Sequence, residues 1–216
     1  MKFYDSIGPN PRLVRMVMAE KGIEMEFAEV DLMAGANRQE PYTKLNPGGE
    51  MPALEIDSGD IVAETVAICE YLEELFPEPA LIGTDAASRA ATRMWTRRVE
   101  LRITNPLTDG FRFAEGLPLF KERRHCIPHA ADDFKEIAQE GLAWLDEQLG
   151  DRNFIVGDAL SLADIVLYCM LDFGAGVGQP IDPSLSRINA WFERVNSRPS
   201  ADASLHEAAR AAGMRG

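Results

Sequence analysis

Basic charge is scarce in this chain. Its 216 residues hold 22 Lys and Arg against 35 Asp and Glu, a formal net charge of −13. Nucleic acids and anionic membrane surfaces are bound through clustered Lys and Arg, so neither is expected as a main partner. Cysteine is scarce too. Cys69, Cys126 and Cys169 are odd in number and widely spaced, with no Cys-x-x-Cys. That argues against a disulfide framework or a zinc site. Cys69 in "ETVAICEYL" and Cys169 in "DIVLYCML" sit in apolar runs and read as buried filler. The three histidines, His125, His129 and His206, show no spacing for a metal or a catalytic triad. Solvated or capping roles are expected for them, and no metal is expected. No apolar run approaches a membrane span, and "MKFYDSIGPNPR" lacks the apolar core of a signal peptide. The expectation is a soluble protein of a reducing, cytoplasmic compartment.

What is present suffices for a sizeable core. Hydrophobic residues make up 46% of the chain, and its length suits one large or two small domains. "KFY" reads as a short strand, and "SIGPNP" is turn chemistry with Pro11 placed for a helix's first turn. "RLVRMVMAEKG" continues as a helix that Gly22 stops. "MEFAEVDL" reads as a second strand with Phe27, Ala28 and Val30 as its apolar members. "MAGANRQEPYTKLNPGGE" is a long polar connection with one helical turn near Tyr42. Loops of that length in compact domains are often functional. "PALEID" and "DIVAE" form a hairpin around "DSGD". "ETVAICEYLEELF" is an amphipathic helix through Val66, Ile68, Cys69, Leu72, Leu75 and Phe76.

From about Thr84 helical patterns take over: "DAASRAATRMWTRRVELRI", "HAADDFKEIAQEGLAWLDEQLG", "SLADIVLYCMLDF" and "PSLSRINAWFERVNS". "RNFIV" is a weak strand candidate, and the tail "HEAARAAGMRG" is helical at most, with a fraying end. In "LSLADI", Ser161 and Asp164 spell a capping box and Leu160 can touch Ile165. This is a structural element. The expected architecture is an α/β domain over 1–78, a linker at 79–84 and an all-helical domain over 85–216.

Two stretches carry chemistry. Pro52 opens a strand, where proline is usually excluded because it brings no N–H to the ladder. A cis Met51–Pro52 bond would turn the Met51 main chain outward as a two-bond edge for an extended peptide. A trans proline on an edge strand serves equally from spacing alone. Glu64 and Thr65 fall where a strand meets a helix N-terminus. Thr65 suits an N-cap, and equally suits a ligand carboxylate there. Glu64 beside it suits a ligand ammonium.

Four stretches, in this order and spacing, resemble the glutathione transferase superfamily: "KFYDSIGPNPRLVRMVMAEKGI", "KLNPGGEMPALEID", "IVAETVAICEYLEELFP" and "RNFIVGDALSLADIVLY". The resemblance implies a thioredoxin-like first domain, a helical second domain and a homodimer. It implies a cis Pro52, with the Met51 main chain on the cysteinyl part of glutathione and Glu64 and Thr65 on the γ-glutamyl end. Threonine replaces the commoner serine at that second place, and the hydroxyl is kept. For the glycyl end the resemblance points to Asn37, with Arg38 its neighbour and Lys44 a further candidate; each also reads as a solvated loop residue. Glu50 departs from the family, which often has a basic or amide side chain there. The thiol-activating residue is left open between Ser6 and Asn10, because the turn is one residue short and Gly8 stands nearest the usual serine or threonine. Tyr4 is the third candidate. The second substrate, a small hydrophobic electrophile, is expected between the domains near Trp95, Arg98, Val99 and Arg102, with Phe111 and Phe113 joining them. The same residues also read as core and surface. The implied activity is attack of the glutathione thiolate on that electrophile. The alternatives are an isomerase, dehalogenase or ether-cleaving enzyme using the same thiolate, or a non-catalytic binder.

Overall fold

The computed structural model describes residues 1–211, which form two compact units. The first unit begins with strand β1 (Lys2–Asp5), helix α1 (Pro9–Lys21) and strand β2 (Glu26–Glu29). β1 and β2 run parallel with Phe3 opposite Phe27, so the βαβ unit closes as its sequence predicts. A 3-10 turn (Ala36–Arg38) and the short helix α2 (Tyr42–Leu45) occupy the long connection. The hairpin β3 (Ala53–Glu55) and β4 (Ile61–Ala63) then adds antiparallel to β1, and α3 (Thr65–Leu75) follows. The sheet order is β2-β1-β3-β4, the thioredoxin-like arrangement.

Phe3, Leu54, Leu13, Val14, Val17, Ile68 and Leu72 are buried almost completely and form the core of this unit. Three expected apolar positions differ, the first being Phe27 of the edge strand β2, which is exposed. Leu75 and Phe76 are exposed too, while Glu73 is buried. For these two the reason is a buried ion pair. The Lys21 ammonium, with no exposed side-chain surface, meets the Glu73 carboxylate at 2.6 Å and donates to the carbonyls of Phe76 and Pro79. Glu73 in turn accepts the Leu81 N–H. These bonds tie residues 76–81 to the first unit.

The second unit, Ile82–Arg198, is helical. It comprises α4 (Ala86–Val99), a π-helical turn (Glu100–Thr104), α5 (Asn105–Phe113), α6 (Leu117–Phe120), α7 (Ala131–Leu149), α8 (Leu162–Gly176) and α9 (Ser186–Asn196). α8 is buried nearly all round, as its apolar run requires. The Asp164 carboxylate accepts the N–H and O–H of Ser161, completing the capping box. It also accepts the Ile155 N–H and the Trp191 indole N–H, each at 2.8 Å. "RNFIV" is therefore no strand: the Ile155 amide that a ladder would use belongs to Asp164.

At Pro199 the chain rejoins the first unit, through α10 (Pro199–Ala203) and α11 (Glu207–Ala211). Its contacts divide the chain at Leu81–Ile82 and group α10 and α11 with α1. Buried arginines explain the return: Arg12 donates to the Ala201 carbonyl and Arg15 to that of Ser204. His206 behaves as a cap, its Nδ1 accepting the Ala208 N–H while Nε2 faces Glu29 at 3.1 Å. Asp5 completes a cluster with Glu29 and His206, and its carboxylate pairs with the Arg15 guanidinium. Of the tail, residues 212–216 lie outside the described residues.

Candidate functional site

The site of the first unit is built around Met51. The Met51–Pro52 peptide is cis. Met51 precedes the β3 ladder, and its main-chain N–H and C=O find no partner among the described residues. Its side chain is buried with Val30, Tyr42 and Ala53, which anchors the residue from behind. Three successive carbonyls leading to it are held by side chains from the long connection. Arg38 donates to Gly48 O at 3.1 Å, and Asn37 Nδ2 to Gly49 O at 2.6 Å. Glu50 O accepts from both Tyr42 Oη at 2.7 Å and Asn46 Nδ2 at 2.9 Å. Gly49 has φ of 60°, and a Cβ there would stand 2.9 Å from the Asn37 carbonyl, so only glycine lets the two strands of the loop meet.

Sequence reading did not single out Tyr42 and Asn46. Their signal was the helical turn predicted near Tyr42, which brings both side chains toward Glu50. Asn37, predicted as a ligand contact, is only 2% exposed and acts on Gly49. Arg38 pairs with Glu50 at 2.6 Å, and Lys44 with Glu40 at 2.8 Å.

The second feature is the start of α3. Glu64, not Thr65, is the N-cap residue, and its side chain makes no capping bond. Thr65 is the first residue inside the helix, which corrects its reading as an N-cap. The amides of Thr65, Val66 and Ala67 have no acceptor among the described residues. They make an open anion site of backbone donors. Glu64 is the only described non-glycine residue with positive φ, at 68°. Such outliers are strained and concentrate at functional sites. Its exposed side chain puts a carboxylate beside those amides. A zwitterionic amino-acid end fits the pair: carboxylate on the helix amides, ammonium on Glu64.

The third feature joins β1 to α1. Ser6 is fully enclosed, and its hydroxyl has no protein partner. Asn10 is half-buried in the first turn of α1. Pro9 and Pro11 flank it and lack N–H groups, so Asn10 supplies that turn's amide donor as well as a side-chain amide. Tyr4 is committed elsewhere. Its hydroxyl donates to Glu55 at 2.8 Å, and desolvation followed by that carboxylate pushes its pKa up to about 12.

On the helical unit the structure brings Trp95, Arg98 and Arg102 together and separates Val99 from them. Val99 is wholly buried and is a core residue. The Arg98 guanidinium lies 4.9 Å from the Trp95 ring centre, and Arg102 lies 4.5 Å from that of Trp144. Trp144 and Arg152, both missed in the sequence, complete the group: the two indoles are 5.8 Å apart and Arg152 is 5.2 Å from Trp95. Trp95 is buried, Trp144, Arg98 and Arg152 are half-buried, and Arg102 is exposed. Phe111 and Phe113 stand apart from it: Phe111 packs on Phe120 and Phe173, and Phe113 on Phe134.

Comparison with known proteins bears on the fold and the family. Residues 7–75 match the model for the glutathione S-transferase N-terminal domain, and 128–194 match that for the C-terminal domain. The chain is 30% identical over 208 residues to glutathione S-transferase 2 of Saccharomyces cerevisiae, covering 93% of this chain and 87% of the relative. It is 33% identical over 179 residues to maleylacetoacetate isomerase of Pseudomonas aeruginosa, covering 81% and 82%. A crystal structure of a glutathione S-transferase domain-containing protein from Marinobacter aquaeolei superposes with a TM-score of 0.87 at 36% identity, covering 93% of this chain and 99% of that one. With a thioredoxin-like unit, a helical unit and relatives matched along nearly its whole length, the chain belongs to the glutathione transferase superfamily.

Proposed function

We propose that this protein is a glutathione-dependent transferase. The observation that carries the reading is the pairing of an unclaimed Met51 main chain with unclaimed amides at the start of α3, beside the strained Glu64. Glutathione lies extended along Met51, its cysteinyl main chain completing the edge. Its γ-glutamyl carboxylate takes the amides and hydroxyl of Thr65, and its ammonium faces Glu64. The sulfur reaches the β1–α1 turn. Asn10 is the accessible donor there, and Ser6 the enclosed one. Hydrogen bonds worth about 1.4 kcal/mol of preference for thiolate lower a thiol pKa by one unit.

The thiol proton leaves to solvent. The sulfur lone pair then forms a bond to an electrophilic carbon, and the leaving group departs with its electron pair. The electrophile is proposed to be small and hydrophobic. A cytoplasmic homodimer is the proposed setting. The described residues contain no helix long and apolar enough to cross a membrane.

The likeness to a maleylacetoacetate isomerase favours a second reading, in which the thiolate adds to an unsaturated substrate and leaves again. Steady-state assays with aryl halides and with cis-alkene acids separate the two. Conjugation consumes one thiol per turnover, and isomerisation consumes none. Turnover that Asn10→Ala or Ser6→Ala lowers at least about tenfold in kcat/KM supports the thiolate mechanism. Glutathione binding without turnover on either class overturns it in favour of a binding protein.

A further inference from the structure

We propose that Arg15 is a positioning residue for the turn between β1 and α1, and that the C-terminal segment from Pro199 to His206 holds Arg15 there. A stretch 189 positions away in sequence then decides where the Ser6 hydroxyl stands. The inference rests on the reading of that turn as the thiol-activating one, and adds a residue behind it that acts through Ser6.

The Ser6 hydroxyl is enclosed and has no hydrogen-bond partner among the described residues. A buried hydroxyl without a partner is costly, and a mobile turn would release it to water. This turn is held by its main chain. The Asp5 carboxylate accepts the Ser6 N–H, and Arg15 Nη1 donates to the Ser6 carbonyl at 3.1 Å. The same Nη1 pairs with the Asp5 carboxylate. Burial pushes the Asp5 pKa up and the Arg15 charge opposes it, so the carboxylate depends on this partner. Arg15 is fixed at its other edge as well, where Nε donates to the Ser204 carbonyl at 2.8 Å. One planar guanidinium thus spans three acceptors on two segments, which a lysine ammonium, a single point of charge, does not reproduce. The C-terminal segment is pinned on both sides of Ser204. Arg12 donates to the Ala201 carbonyl at 3.1 Å, and His206 Nε2 faces Glu29 at 3.1 Å. Asp5, Arg15 and Ser204 are all buried, so water offers no ready substitute for these bonds.

Thiolate absorbance of glutathione bound to the full chain, followed against pH, tests this. It reads the sulfur alone, apart from any titration of Asp5, Glu29 and His206 around the two arginines. Arg15→Lys keeps the charge and loses the geometry. It is expected to raise the bound thiol pKa by about 0.7 unit. At about one unit below the wild-type value that lowers kcat about fivefold, and the rates converge once the thiol is ionised in both proteins. In a Ser6→Ala background Arg15→Lys is expected to add nothing, because its effect passes through Ser6. His206→Ala frees the segment beyond Ser204 at a site less central to folding, and is expected to shift the pKa the same way by about 0.3 unit. Lys21→Gln breaks a buried ion pair at the other end of α1. It is expected to lower stability and leave the thiol pKa within about 0.2 unit of wild type. A thiol pKa unmoved by Arg15→Lys overturns the proposal, as does an equal shift from Lys21→Gln or a full further shift on Ser6→Ala. Should Arg15→Lys fail to fold, an unmoved value in His206→Ala overturns it. All of these leave the thiolate reading intact. A wild-type complex with no thiolate step defeats that reading, and the proposal falls with it.

Discussion

Glu64 shows at the scale of one residue how this fold trades stability for a site. Its φ of 68° suits glycine, yet a carboxylate is kept there. Glu64→Gly is expected to stabilise the protein by about 1 kcal/mol by relieving the strained backbone, and to lose glutathione affinity. Glu64→Ala loses the affinity without the stability. Denaturant melts beside calorimetry check both, and retained affinity in either variant removes the ammonium contact. Tyr42→Phe deletes one of two donors to the Glu50 carbonyl and is expected to raise the dissociation constant about fivefold while kcat changes little. Tyr4 gives the opposite forecast. Its folded pKa of about 12 exceeds the ordinary tyrosine value of about 10. The stability it contributes is present below pH 10 and is lost as pH rises toward 12. Tyr4→Phe should remove an absorbance titration step near 12 and leave turnover unchanged. A proline at a strand's mouth and an acid–hydroxyl pair before a helix are local patterns, so Met51–Pro52 and Glu64–Thr65 stand out in the sequence as candidates. The clamp of Tyr42 and Asn46 on Glu50 does not, because it depends on how a loop folds back across eight residues and four residues respectively.

Elements followed their periodicity closely, and the exceptions have physical causes. The run after Thr84 reads as one helix, but a π-helical turn at Glu100–Thr104 joins α4 to α5. Nothing in the apolar spacing announces it. Gly141 of α7 packs against that turn, and a Cβ there would stand 2.3 Å from the Arg102 carbonyl. Gly141→Ala is therefore expected to destabilise the helical unit by about 1–3 kcal/mol, read by thermal and denaturant unfolding. Stability equal to wild type would show that α7 can shift away from the turn. The π turn also sets the spacing of Arg98 and Arg102, which stack on two different indoles. Trp144 and Arg152 are not legible from the pattern of α4, because they join from outside it.

Across the whole molecule, the division into a mixed-sheet unit and a helical unit was legible from the shift in pattern near Thr84. The return of the chain at Pro199 was not, since it rests on Arg12 and Arg15 reaching carbonyls about 190 residues away in sequence. Truncation after Arg198 strips both guanidiniums of those acceptors. It is expected to cost the first unit about 3 kcal/mol or more and to expose it to proteolysis. A truncated chain as stable as the full one would reduce the C-terminal segment to an accessory.

The central claim concerns where a tripeptide thiol lies, and a crystal structure with glutathione bound tests it most directly. The account predicts the cysteinyl N–H and C=O paired with Met51, the γ-glutamyl carboxylate on the Thr65 and Val66 amides, and the sulfur within about 3.5 Å of Asn10 or Ser6. Glutathione seated elsewhere, or an empty Met51 edge at saturating ligand, would contradict it.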